Sequence, residues 1–282
     1  MKYQINPVSK KIRLLGLTVA AALLASVSHA QVTPVYLVDG DSTAIVDVDS
    51  SAGMYQWVAG GHNQLSQQWF WYRIGAGGVV QPINSVSAAT WNQLAGPDSL
   101  FTSYANAQLS FSINYKLTSL TSGKVDILES ISVKNNTAAP LDLHFFQYSD
   151  FDLAGTPIDD SLVIEVDPDF GGYYRATQKK NGGSELSETI AQPPASRAEA
   201  NYQEPLITNF FTPGYNLNNN LGPVLSGDLA WAFQWDFTVG AGGSVNIFKD
   251  KLLEVTPIPE PSTLAFVSLG FAALVLLRRR VR

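Results

Sequence analysis

The alternation that decides the fold is clearest in the stretch Leu109-Ser110-Phe111-Ser112-Ile113-Asn114-Tyr115-Lys116-Leu117. Its odd positions are apolar and its even positions are polar. Because successive side chains of a β-strand point to opposite faces, this period of two predicts a strand with one face in a core and the other in water. Leu229–Val239 repeats the pattern with Trp231 and Trp235 in its apolar phase, so we expect both tryptophans in the core.

Similar signals recur between the two ends of the chain. Weaker alternation or β-rich composition appears at residues 43–48, 69–74, 125–133, 162–166, 172–177 and 245–253. Turn-forming clusters separate these runs at residues 75–78, 134–137, 181–183 and 240–243. No long segment has a period of 3.6. Many antiparallel strands with one buried face each predict an all-β fold, an antiparallel β-sandwich, with a β-barrel as the alternative.

Two further regions have composition that departs from simple alternation. Trp69, Phe70, Trp71 and Tyr72 put aromatic side chains on both faces of one strand, which predicts a strand buried on both sides. Residues 192–204 and 216–223 are rich in polar residues, proline and asparagine, and we expect them to be surface loops.

Composition limits the classes of function. The chain has 282 residues and no cysteine, which excludes disulfides, thiolate catalysis and cysteine-based metal sites. Eight of its 18 basic residues lie in the two ends, with only one of its 24 acidic residues, so the body between them has a formal net charge of −13. Because so acidic a surface repels phosphate backbones, we expect no nucleic-acid partner.

The first 30 residues predict a secretory signal peptide. Lys2, Lys10, Lys11 and Arg13 precede a short apolar stretch at residues 14–27, and small residues follow. The predicted cleavage site lies between Ala30 and Gln31. We therefore expect the domain to occupy residues 31–256 and to be exported.

The last residues, 257–282, form a second targeting segment. Pro259-Glu260-Pro261 precedes an apolar stretch at residues 263–277, and a cluster that includes Arg278, Arg279 and Arg280 follows it. A helix of that stretch is about 22 Å long, which is short for a hydrocarbon core of about 30 Å, but flanking arginines can extend to the interface. The positive-inside rule places these arginines in the cytoplasm and the body outside.

This tail resembles the PEP-CTERM sorting signal of exosortase substrates. The resemblance implies export across the inner membrane of a Gram-negative bacterium that makes exopolysaccharide, a transmembrane anchor, and then removal of the tail by exosortase. The mature protein would reach the cell surface or the extracellular matrix. Export machinery, exosortase and exopolysaccharide are the partners that it suggests. Three aromatic segments, at residues 67–73, 145–153 and 230–237, also resemble segments of an uncharacterised group of exported PEP-CTERM β proteins.

Residues 141–153 contain the densest set of chemically useful side chains. On a regular strand His144, Tyr148, Asp150 and Asp152 share one face, which predicts a glycan-binding face at His144 and Tyr148. Carboxylates about 7 Å apart at Cα, as at Asp150 and Asp152, also suit a retaining glycosidase. The alternative is that the aromatic residues pack in the interior and the acids are solvated.

Calcium is the candidate ion, because it takes six to eight oxygen ligands and this chain has many aspartates near turns. Asp150, Asp152, Asp159 and Asp160 are the predicted ligands. The alternative is that these aspartates only form turns and keep the surface soluble. We expect no other cofactor.

The sequence has no clear catalytic constellation. After signal cleavage only His62 and His144 remain, too few for a three-histidine metal site, and neither a nucleophile elbow nor a phosphate-binding loop is present. We therefore expect a non-catalytic protein with a structural or adhesive role in the matrix. A glycan-binding module and a carbohydrate-active hydrolase or lyase are the alternatives.

Overall fold

The computed structural model describes residues 33–256 except residues 122, 170 and 182. The predicted signal peptide with its Ala30–Gln31 cleavage site, and the predicted sorting tail with its transmembrane helix, lie outside the described residues. Within residues 33–256, no helix is long and apolar enough to cross a membrane.

The described chain is built almost wholly from strands. It contains β1 (Val35–Asp39), β2 (Ser42–Asp47), β3 (Gly53–Ala59), β4 (His62–Asn63), β5 (Leu65–Ile74), β6 (Gln81–Pro82), β7 (Thr90–Asn92), β8 (Ser99–Ala105), β9 (Leu109–Thr121), β10 (Lys124–Asn135), β11 (Leu141–Phe151), β12 (Asp160–Val166), β13 (Tyr173–Lys180), β14 (Glu185–Gln192), β15 (Arg197–Tyr202), α1 (Gln203–Asn209), β16 (Val224–Leu225), β17 (Leu229–Val239) and β18 (Ser244–Glu254). Short 3-10 helices lie at Ile83–Ser85 and Leu153–Gly155.

These strands form two sheets of nine strands each. Sheet A has the order β1-β2-β3-β5-β11-β17-β15, with β4 beside β3 and β6 beside β5. Sheet B has the order β16-β12-β13-β14-β18-β10-β9-β8-β7. All pairs of described strands are antiparallel except a short parallel contact between β3 and β5. The predicted antiparallel β-sandwich is confirmed.

The core lies between the two sheets and is rich in aromatic rings. Phe145 of sheet A stacks on Phe111 of sheet B with ring centroids 5.7 Å apart, and Phe70 of sheet A lies 6.5 Å from Tyr115 of sheet B. Full burial of one such ring contributes roughly 1.5–3 kcal/mol to stability. Trp231 and Trp235 are fully buried, as predicted.

A short segment covers the outer face of sheet A. Residues 203–217, here called the cover segment, contain α1 and the turn that follows it. Phe210 of this segment contacts the rings of Trp71, Phe146 and Tyr148 at centroid distances of 5.5 to 6.2 Å. Because the outer face is covered, β5 and much of β11 and β17 are buried on both sides. The prediction that the strand at Trp69 and Trp71 is buried on both sides is confirmed.

The prediction of a surface loop at residues 192–204 is wrong. Six of its thirteen residues form β15, which pairs with β17 at the edge of sheet A. Glu199 hides the pattern, because it is a fully buried charge on a strand of small alanines. The Tyr215 hydroxyl and the Asn218 amide donate hydrogen bonds to its carboxylate, which makes its burial tolerable. Residues 216–223 form no helix or strand, as predicted.

Candidate functional site

The outer face of sheet B carries a groove. One hollow of about 280 Å³ lies over β9, β10 and β18, and a second of about 290 Å³ lies over β8 and β9. Both are lined by Asn114, Tyr115 and Lys116, so the two hollows adjoin each other along β9 and are described together as one depression. Leu128 and Phe248 project into it with 51% and 40% of their surface exposed. We call this depression the sheet B groove.

Strand register arranges the groove residues in two rows. One row runs Lys116, Leu128 and Asp250 across three neighbouring strands. The second row runs Phe101, Asn114, Ser130 and Phe248 across four strands. Since neighbouring strands lie about 4.8 Å apart, the two phenylalanines are about 14 Å apart with polar side chains between them. Two apolar platforms flanking hydrogen-bonding groups suit an elongated, hydroxyl-rich ligand.

Two carboxylates belong to this region: Asp250 is part of the first row, and Asp126 lies two residues before Leu128 on β10. Burial raises the pKa of Asp126 to about 6, and the charge of Asp250 adds to the effect. Burial also raises the pKa of Asp250, against the opposing charges of Lys249, Lys251 and Arg175. The Asp126 Oδ1 atom is buried and has no hydrogen-bond partner within the described residues. Burial of this oxygen without a partner accounts for the raised pKa of Asp126.

Behind the groove, the inner face of sheet B holds a buried charge network. Lys249 and Lys251 of β18 contact Glu129 of β10 and Glu188 of β14, and all four side chains are almost completely buried. The Trp231 indole N–H also donates to Glu188 at 2.7 Å. Burial and the charge of Lys251 lower the pKa of Lys249, while its two carboxylate partners favour the charged form.

Sequence reasoning missed this network, although a signal was present. Glu129, Glu188, Lys249 and Lys251 occupy the apolar phase of strands whose other buried residues are nearly all Val, Ile or Leu. A charge in that phase must be buried and therefore paired. What the sequence does not show is which charges pair, because the contacts of Lys249 reach 61 and 120 residues along the chain.

A cluster of carboxylates lies at one end of sheet A. Ligand oxygens of Asp150, Asp152 and Asp228 all lie within 4.8 Å of one another. Asp150 and Asp152 come from the end of β11, and Asp228 comes from the turn between β16 and β17. The structure therefore brings together two of the four predicted calcium ligands and adds Asp228, which the sequence prediction did not include. We call these three residues the aspartate cluster.

The other two predicted ligands lie next to this cluster. Asp160 is buried, accepts a hydrogen bond from Gln178 at 2.6 Å and pairs with Lys180 at 3.3 Å. Asp159 is exposed in the preceding turn, with a positive φ of 65°. Both line a surface hollow of about 310 Å³. The charge of Asp160 also raises the pKa of Asp152, so Asp160 interacts electrostatically with the aspartate cluster.

Electrostatics in the cluster are dominated by burial and like charge. Burial raises the pKa of Asp150 to about 8, and the charges of Asp228 and Asp152 add to the effect. Burial raises the pKa values of Asp152 and Asp228 as well, with Lys180 opposing the shift at Asp152. Three carboxylates this close are stable at neutral pH only with a bound proton or a cation.

The predicted glycan face at His144 and Tyr148 is largely covered. Tyr148 is fully buried beneath Phe210, so its ring offers no surface for a sugar to stack on. The His144 side chain is only 14% exposed, and its Nδ1 lies 2.5 Å from Asp236. The cover segment buries Tyr148 through Phe210. The alternating pattern of β11 by itself gives no sign of this contact.

Sequence comparison identifies the C-terminal tail. Residues 257–280 match the family model described as PEP-CTERM protein-sorting motif. The predicted PEP-CTERM tail is thus confirmed, and it implies an exported, membrane-anchored protein that exosortase processes for delivery to the surface. No curated protein matches the chain. The resemblance of the body to other exported PEP-CTERM proteins stays a prediction.

Comparison with solved structures supports the fold. A bacterial glucoamylase complexed with acarbose superposes with a TM-score of 0.53 at 5% identity, covering 86% of this chain and 36% of its own length. A galactose mutarotase-like protein from Lactobacillus casei ATCC 334 gives a TM-score of 0.48 at 10% identity, covering 79% of this chain and 100% of its own. Aspergillus nidulans amine oxidase gives a TM-score of 0.38 at 8% identity, covering 86% of this chain and 56% of its own. The chain thus spans about a third of the glucoamylase, and the likeness concerns the fold alone.

Proposed function

We propose that this exported protein is a non-catalytic β-sandwich that binds neutral polysaccharide of the cell surface or exopolysaccharide matrix through the sheet B groove. The observation that carries the proposal is the row of Phe101, Asn114, Ser130 and Phe248, which places two aromatic rings on either side of polar groups. A depression with exposed apolar side chains on either side of polar groups is typical of binding surfaces. The acidic body favours an uncharged glycan over an anionic one.

The same geometry favours binding over catalysis. Asp126 and Asp250 lie on adjacent strands of one sheet, side by side instead of facing each other across a bound ligand. Glycosidases place two carboxylates on either side of the scissile bond. Asp150, the best candidate for a general acid, is only 3% exposed. A hydrolase or lyase would need a second, facing carboxylate that reaches the groove.

Affinity electrophoresis of the full-length chain in mild detergent tests this proposal. Gels that contain dextran, galactomannan or xyloglucan probe neutral glycans, and alginate serves as an anionic control. We expect at least one neutral glycan to retard the protein and alginate to leave it unaffected. Phe248→Ala should weaken the retardation about tenfold, because it removes one apolar platform.

Phe211→Ala is the matched control. Phe211 is 61% exposed on the cover segment of the opposite sheet, so its loss should leave retardation unchanged. Absence of retardation in every neutral gel, or equal losses in the two variants, would overturn the assignment of the groove. Release of reducing ends from a retarding glycan would instead support the hydrolase alternative.

A further inference from the structure

We propose that the aspartate cluster, Asp150, Asp152 and Asp228, together with the Tyr148 hydroxyl, is a calcium site on sheet A. It is independent of the sheet B groove, because none of its residues lines that groove. The three carboxylates supply oxygen atoms within 4.8 Å of one another. Carboxylates that bind in mono- or bidentate fashion are the preferred ligands of Ca²⁺.

The Tyr148 hydroxyl is a second and separate indication of a ligand. Tyr148 is fully buried, and its hydroxyl makes no hydrogen bond of regular geometry within the described residues, although the Gln203 and Asp150 side chains lie beside it. It lies close enough to the cluster to feel the charges of both Asp150 and Asp228. Because a buried polar group without a partner costs stability, a cation or its bound water at this position would satisfy the hydroxyl.

The carboxylates themselves also have unused capacity. Oδ1 atoms of Asp150 and Asp152 are buried without hydrogen-bond partners in the described part of the chain. Lys180 is the charged neighbour that acts on Asp152, but it is committed to Asp160, Thr156 and the Ile158 carbonyl. The cluster therefore keeps an excess of negative charge that a divalent cation can balance.

The aspartate cluster lies next to the start of the cover segment. The Asp228 carbonyl accepts a hydrogen bond from the Gln203 amide, the first residue of α1 and of the cover segment. A cation bound between Asp228 and the end of β11 would hold the start of the cover segment against sheet A. Millimolar calcium outside the cell is sufficient for such a site, since extracellular modules bind with dissociation constants of about 10⁻⁴–10⁻³ M.

Calcium titration of the full-length chain in mild detergent tests the proposal. After EDTA treatment, CaCl₂ should bind with one site per chain by isothermal titration calorimetry. It should also raise the unfolding midpoint, because a ligand that binds only the folded state stabilises it. MgCl₂ at the same ionic strength should give a much smaller shift, since Mg²⁺ needs a smaller and more regular set of ligands.

Three variants separate a defined site from general charge screening. Asp228→Asn should weaken calcium binding about tenfold or more, because it removes one charged ligand. Asp159→Asn is the matched control, as it removes the same charge from the neighbouring turn and asparagine tolerates its positive φ. Tyr148→Phe should weaken binding several-fold while leaving the fold intact.

The proposal fails if millimolar CaCl₂ neither binds nor shifts the midpoint. It also fails if Asp228→Asn and Asp159→Asn reduce the shift equally, because the effect would then be screening of surface charge. Unchanged calcium binding in Tyr148→Phe would remove the hydroxyl from the site and overturn that part of the assignment.

Discussion

The outer faces of the two sheets start from the same kind of sequence and end in opposite states. In sheet A the polar phase of β11 and β17 lies under the cover segment, where Phe210 seals Tyr148 and Phe146. In sheet B the polar phase of β10 and β18 stays open and forms the groove. Alternation thus predicts which side chains share a face of the sheet. Whether that face is exposed to solvent depends on whether a distant segment of the chain packs over it.

The largest expected effect compares the two faces of one strand. Lys249→Met removes one of the two ammonium groups that neutralise Glu129 and Glu188 in the buried network, at an expected cost of about 4 kcal/mol. Asp250→Asn changes the neighbouring residue, which faces the groove, and should alter stability by less than about 1 kcal/mol. Urea unfolding measures both. If the two variants lost similar amounts of unfolding free energy, the face of the strand on which a residue lies would not determine the loss of stability.

A second comparison tests the seal over sheet A. Phe210→Ala should destabilise the protein by about 3 kcal/mol, because removal of a fully buried ring that contacts four other aromatic rings leaves a cavity. The adjacent Phe211→Ala should cost less than about 1 kcal/mol, since most of its ring is already exposed. Chemical denaturation with a fluorescence readout gives both values. Equal losses would mean that the cover segment is not anchored through Phe210.

The smallest expected effect concerns pH on the open face. The pKa of Asp126 is raised to about 6, so the folded protein holds this proton more tightly than the unfolded chain does. Its favourable contribution is present below pH 4 and is lost as pH rises to 6. Asp126→Asn should therefore stabilise the protein at pH 7 by about 1 kcal/mol, a value discounted for its half-exposed position, and be neutral at pH 4.

Thermal unfolding at the two pH values checks this sign. Asp41→Asn, in the exposed turn between β1 and β2 on the other sheet, is the control and should leave stability nearly unchanged at both pH values. A stabilisation by Asp126→Asn that is equal at pH 4 and pH 7 would contradict a raised pKa as its cause.

Local sequence was sufficient for the strands and for the tail. The two-residue period of β9, β10 and β17 reflects the geometry of an extended backbone, which each segment carries by itself. The tail is likewise a contiguous signal, because Pro259-Glu260-Pro261, the apolar stretch and the arginine cluster follow one another directly, and the family model matches it. β15 was missed because its buried Glu199 breaks the pattern, and that charge is tolerable only through partners more than ten residues away.

By itself, then, the sequence determined an all-β sandwich with a PEP-CTERM tail, the buried tryptophans, and the shared face of His144, Tyr148, Asp150 and Asp152. Only the tertiary structure decided that Asp228 joins Asp150 across 78 positions of the chain, that residues 203–217 close over one sheet, and that the other sheet keeps its groove. The physical reason is that side-chain direction follows from local backbone geometry, whereas burial and charge pairing depend on which distant segments the topology brings together.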